Sequence, residues 1–240
     1  MIAIVEVCSQ GFDWVPTYML PFRIPTMYGN VALSAAYAAV DDRRIISDGQ
    51  TVCATFGAGQ GFYTTAAVGG EWWMLPDAAL TANIHVGWLG AEHTATGTVL
   101  PLVTGQTLRT EYVLSTSRII TGVQVAVKKR LFSRYGWASL GMGAVVFHWP
   151  SVRQYEQVVE PSWYMFSTIP PSRRVLIASS DGVGTTLQAM VVVAIGYDIP
   201  LRTGWYISPA LEIAVPVTLD APDFRLWRVG VILPVSVSLH

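Results

Sequence analysis

Few side chains in this chain carry charge, and those inside apolar runs fall at alternate positions. Glu71, Asp198 and Glu212 are matched in number by Arg118, Lys128 and Arg228, with His85, Asn83 and Gln124 at the same parity. Acids and bases in equal number, set among small residues, point to a mutually neutralised network, because buried charges persist when paired and hydrogen-bonded. A proton or ion path is the alternative chemistry for the same groups. Glu212 and Arg228 lie on consecutive runs and form the strongest single pair.

Other chemistry finds less support. His148, Ser151 and Glu160 hold the residue types of a hydrolytic set, which needs a nucleophile, a base and an acid converging at one point. The stretch GAGQG (Gly57 to Gly61) lacks the Lys of a phosphate-binding loop and is not followed by a helical pattern, so it reads as a loop-to-strand hinge. His85, His93, His148 and His240 show no ligand spacing, so neither a metal nor a cofactor is expected. Cys8 and Cys53 belong to no CxxC pair, and sequence leaves their pairing open.

The elements that must position these residues alternate with period two. In the closing stretch, Trp227, Val229, Val231, Leu233, Val235, Val237 and Leu239 share one face, opposite Arg228, Gly230, Ser236 and Ser238. The preceding run sets Trp205, Ile207, Leu211, Ile213 and Val215 against Tyr206, Ser208, Ala210, Glu212 and Ala214. A soluble sheet turns its large apolar residues inward and its charges outward. Large apolar residues opposite small and ionised ones describe an inside-out barrel, in which acyl chains meet the apolar face.

Bulk composition agrees. The chain is 52% hydrophobic and 13% charged, with a mean hydropathy of +0.42, against ~25% charged in an ordinary soluble domain. No run reaches the ~18 apolar residues of a spanning helix, which leaves closed strands as the structure able to satisfy its backbone in lipid. A net charge of -1 offers no field for nucleic acid. The start, MIAIVEVCSQG, has no basic segment and carries Glu6, so no secretion signal is read there.

Along the chain, residues 1–26, with Pro16, Pro21 and Pro25, read as an irregular lead-in on the periplasmic side or in the barrel mouth. Residues 27–240 read as one all-β domain, an eight-stranded antiparallel up-and-down transmembrane barrel. Its strands are expected at 27–40, 60–74, 79–90, in a run ending at 131, at 135–149 and 185–199, and in the final pair. Long outer loops are expected near 41–59, 91–110 and 150–182, alternating with short turns on the side of both termini. The lipid face is assigned Val193, Leu211, Ile213, Val229, Val231 and Leu233. Aromatic belts are assigned Trp72, Trp88, Trp137, Trp149, Trp205 and Trp227.

With these runs laid out, residues 27–240 resemble the small outer-membrane β-barrel domain family of diderm bacteria. GYDIPLRTGWYISPALEIAVPVT is similar to that family's penultimate hairpin. The resemblance implies residence in the bacterial outer membrane, contact with its lipid, periplasmic termini and insertion through the final strand; the family shares no catalytic set. The expected role is non-enzymatic, structural or partner-binding through the outer loops, chiefly 150–182, in a larger assembly or alone. A narrow pore, a soluble lipocalin-like binding barrel and a lipid-modifying enzyme remain as alternatives.

Overall fold

The computed structural model describes residues 27–42, 56–131, 135–181, 185–202, 204–217 and 224–239, apart from the side chains of Asp42, Trp149 and Phe224. The expected lead-in at 1–26, both cysteines, His240 and most of the connection at 41–59 lie outside these residues. Eleven β-segments are present: β1 (Met27–Asp42), β2 (Gly59–Leu75), β3 (Ala78–Pro101), β4 (Thr107–Arg130), β5 (Gly136–Glu160), β6 (Arg174–Asp181), β7 (Thr185–Tyr197), β8 (Ile199–Arg202), β9 (Trp205–Ile207), β10 (Ala210–Pro216) and β11 (Phe224–Leu239).

Eight strand paths close into an antiparallel barrel in the order β1-β2-β3-β4-β5-β7-β10-β11, with β11 pairing back onto β1 along its whole length. The register gives the stagger. A row of paired residues leaving β1 at Tyr28 passes through Glu71, Thr81, Ala126, Gly141, Val192, Ala214 and Arg228, and returns to β1 at Ala38, ten residues on. Such a stagger goes with strands tilted ~35–45° around an interior just wide enough for side chains.

Strand parity sorts the residues as the closed barrel requires. Val31, Leu33, Ile84, Val123, Val125, Val193, Leu211, Ile213, Val229, Val231 and Leu233 all stand outward and exposed, with Val231 57% accessible, while their sequence neighbours are covered. The soluble, lipocalin-like alternative needs these residues packed around a central ligand, and is thereby corrected. On β4 the outward positions from Ile119 to Val127 are apolar except Thr121, and end at exposed Lys129. At ~3.3 Å per residue and this tilt, the band is on the order of 25 Å tall, a hydrocarbon thickness.

Most of the expected loop at 91–110 and the two ends of that at 150–182 are corrected to strand, while 102–106 and 161–173 lie outside any strand. β3 and β4 stay paired up to Pro101 and Thr107, where Gly105, at φ 79°, helps close a tight turn. β5 runs on to Glu160, and β6 pairs beside it at Ser151–Gln157, so four strands leave the barrel as one blade. Pro150, read as the end of a strand, instead lies where the β4–β5 register shifts between Ser117 and Ile119. A bulge is a place where a sheet tolerates a residue without an N–H. Simple apolar alternation does not mark the blade, because its covered positions include polar Thr110, Thr116 and Gln154, and buried Val113 and Leu114 are sequence neighbours.

Short turns join the strands at the opposite end. Pro76 and Asp77 link β2 to β3, with Arg130 N–H donating to the Asp77 carbonyl at 2.8 Å. Two glycines of GAGQG, Gly59 and Gly61, serve close packing. The His93 ring lies against Gly57 and Gly59, its Nδ1 3.1 Å from the Gly57 carbonyl oxygen, and a Cβ on Gly61 would collide with the Gly90 backbone.

Replacing Val231 by Arg is expected to cost ~2–4 kcal/mol, because it sets a charge in mid-band. Val103→Arg, at the fully exposed blade tip, is expected to change stability by less than ~0.5 kcal/mol. Urea unfolding of the barrel in lipid vesicles measures both.

Candidate functional site

The lumen is built in three storeys by the inward residues of all eight strand paths. In the lowest, Lys128 of β4 meets Glu71 of β2 at 3.1 Å and Asp198, just past β7, at 3.0 Å. The three side chains are 4%, 6% and 0% exposed. Tyr206 donates its hydroxyl to Glu71 at 2.6 Å, the Trp73 indole N–H donates to the same oxygen, and Ser208 donates to Asp198. The ammonium lies 4.7 Å from the centre of the Trp137 ring, 5.3 Å from Tyr206 and 5.5 Å from Trp73. One cation thus sits between two carboxylates inside an aromatic cage, an arrangement that makes a desolvated ammonium tolerable. Arg130 stacks on Trp73 at 4.1 Å and donates to the Pro76 carbonyl.

Above this lies a polar cavity of about 60 Å³ lined by Asn30, Thr81, Asn83, Gln124, Ser139 and Glu212, sized for a few waters. Arg228 pairs with Glu212 at 2.9 Å and stacks on Tyr63 at 4.4 Å, while Gln124 donates to the second Glu212 oxygen at 3.4 Å. His85 is buried on β3, where its ring occupies the space beside Gly122.

The upper storey is apolar. Val40, Tyr63, Leu89, Ile120, Phe147, Met190 and Leu226 form one buried cluster with small residues of the same faces. Gln188 is buried as well.

Of the charged residues expected in the lumen, the structure joins Glu71, Lys128 and Asp198 in one group and Glu212 with Arg228 in another. His85 and Arg118 are buried on β3 and β4 without entering either ion pair. The aromatic assignment needs correction. Trp72, Trp88 and Trp227 stand exposed on the outer surface and Trp205 is half-buried at the base, but Trp137 is 6% exposed and points inward. Trp73 and Phe147 are buried in the lumen too. The side chain of Trp149 lies outside the described residues. Trp73, Trp137 and Tyr206 complete the lysine cage, and parity was the signal for them, since Trp73 lies two residues from Glu71 and Tyr206 six from Glu212.

The hydrolytic set does not assemble. His148 bonds Thr121 at 2.7 Å, whereas Glu160 ends the same strand beside Arg109 at 3.8 Å. Twelve residues of β5 separate them, ~40 Å of extended chain. No cluster of three or more His, Cys, Asp or Glu suited to a metal occurs among the described residues.

Removing the caged cation exposes the energetics. Lys128→Met strands two carboxylates in the lumen and is expected to cost ~3–5 kcal/mol. Adding Glu71→Gln and Asp198→Asn is expected to restore more than half of that loss, read from urea midpoints of the refolded barrel.

No family model matches this chain, and no curated protein matches it. Among solved structures, Neisserial surface protein A is similar at 10% identity, covering 86% of this chain and 96% of its own, with a TM-score of 0.33. Ail of Yersinia pestis, in complex with the heparin analogue sucrose octasulfate, shares 10% identity over 90% of this chain and all of its own, at 0.34. The outer membrane protease OmpT of Escherichia coli shares 9% over 89% and 96%, at 0.27. Likenesses this distant add no weight to the closed register, apolar outer band and charged lumen, which by themselves give the chain the fold of a small eight-stranded outer-membrane β-barrel.

Proposed function

We propose that this protein is a non-enzymatic barrel of the bacterial outer membrane, with both termini on the periplasmic side, that holds a partner polypeptide on the outward blade formed by β3, β4, β5 and β6. The observation that carries the reading is the free edge of β6. Among the described residues it pairs with β5 alone, leaving a row of backbone donors and acceptors beyond the apolar band. Such an edge is a template for strand addition. Leu176 is exposed on this strand, and Val103, Trp163, Met165 and Ile169 are exposed at the tips. The Trp163 indole donates to Gln106 at 3.0 Å, tying the two tips together.

The asymmetry of the ends supports this orientation. Barrels of this class keep short turns on the periplasmic side and send long hairpins outward, and Met27 and Leu239 lie with the Pro76–Asp77 turn. The pore alternative is opposed by the upper storey, whose apolar side chains break the polar path above Glu212 and Arg228. Against an enzyme stands the separation of His148 from Glu160.

A photoreactive residue in place of Leu176 is expected to yield a discrete polypeptide adduct on intact cells, whereas the same label in place of Val231 is expected to yield lipid adducts. A label at 176 that captures no polypeptide overturns the proposal. In planar bilayers the protein is expected to give no unitary conductance, and steps sensitive to Glu212→Gln would establish the pore instead.

A further inference from the structure

The wall of the barrel changes character at its seventh path. β9 and β10 would be one strand but for Ser208 and Pro209, which stand outside the ladder. Pro209 has no N–H to donate, and neither has Pro234 on β11. The break is bridged by Ser208 N–H donating to the Pro234 carbonyl at 2.9 Å and Tyr197 N–H donating to the Pro209 carbonyl at 3.1 Å. Outside this break lies a shallow, open depression in the lipid-facing surface, lined by Ile195, Gly196, Tyr197, Pro209, Leu211 and Val231.

The surroundings select the occupant. Ile195, Leu211 and Val231 are exposed members of the apolar band, so the groove is continuous with the surface that acyl chains already cover. At its short-turn end Tyr197 packs on Tyr135 with ring centres 5.7 Å apart. Just beyond, the β8–β9 hairpin carries exposed Arg202 stacked on Trp205 at 4.5 Å. No carboxylate among the described residues pairs with Arg202, and Asp198, the nearest acid in sequence, is fully buried toward the lumen. An apolar trough that ends in an aromatic belt and an unneutralised guanidinium has the chemistry of an anionic amphiphile site, since Arg binds phosphate through a planar fork of donors.

We propose that this groove binds one anionic phospholipid of the leaflet on the short-turn side, an acyl chain lying in the trough and the phosphate on Arg202. The inference rests on the membrane reading given above. It needs no opening of the wall, because hydrogen bonds bridge the break.

Native mass spectrometry of the detergent-refolded barrel, titrated with phosphatidylglycerol or phosphatidylcholine, tests it. One phosphatidylglycerol is expected to be retained in preference to phosphatidylcholine. Arg202→Gln is expected to remove about fivefold of that preference, the contribution of one Arg at an anionic surface, with lipid still retained. Ile195→Trp or, should that variant not fold, Leu211→Trp fills the trough and is expected to weaken retention about tenfold, or ~1.4 kcal/mol. Leu187→Trp, higher on the same outer face, is expected to bind as the unaltered protein does. Retention unchanged by filling the trough overturns the site, as does a dimer abolished by Ile195→Trp, which would assign the groove to a second copy. Absence of the heat-modifiable gel shift in the unaltered protein would instead strike the membrane reading itself.

Discussion

Hydrocarbon offers no hydrogen bonds, so each backbone N–H and C=O at that depth must find its partner within the protein. Everything else in this molecule follows from the seam that satisfies the condition, the pairing of β11 with β1 from Met27–Leu239 to Asp42–Phe224. Closure removes both sheet edges at once. It also turns one side chain in two toward lipid and the other toward an axis too narrow for bulk water, which is why small residues such as Ala32, Ala36, Ala126 and Ala194 line the interior.

The narrow interior explains how its charges are arranged. With little water to solvate them, Lys128 is shared by two acids and three aromatic faces, and Arg228 by Glu212 and Tyr63. A buried ion pair of this kind is poor evidence for extra stability, because desolvation offsets most of the attraction. Its clearer role is to hold register: Glu71, Lys128 and Asp198 come from distant strands, and a one-residue slip of any of them would turn a charge into lipid.

Facing was legible in the sequence wherever the bilayer imposes it. Val229, Val231 and Leu233 announced the outer surface, and Glu212 with Arg228 the inner, because two contrasting solvents meet at one strand. Trp137 and Trp73 were not legible by type, since an indole suits both a headgroup belt and a lysine cage; only parity separates the two uses. Beyond Glu92, Ser117 and Ser151 the contrast vanishes. Covered positions of the blade then include polar Thr110, Thr116 and Gln154 beside Val113 and Val158, and Pro150 imitates a strand end. The break at Ser208–Pro209 was hidden for another reason: the alternation continues through it, although the ladder does not.

The unbroken course of β5 from Gly136 to Glu160 has a mechanical meaning. The segment within the membrane and the segment beyond it belong to one ribbon, with a bulge near Pro150 in place of a flexible joint. Its outer portion therefore behaves as a mast stepped into the barrel, keeping whatever it touches at a standoff of ~30 Å from the bilayer. A tug on its tip would be borne by the wall, much as a flagpole passes wind load to its footing.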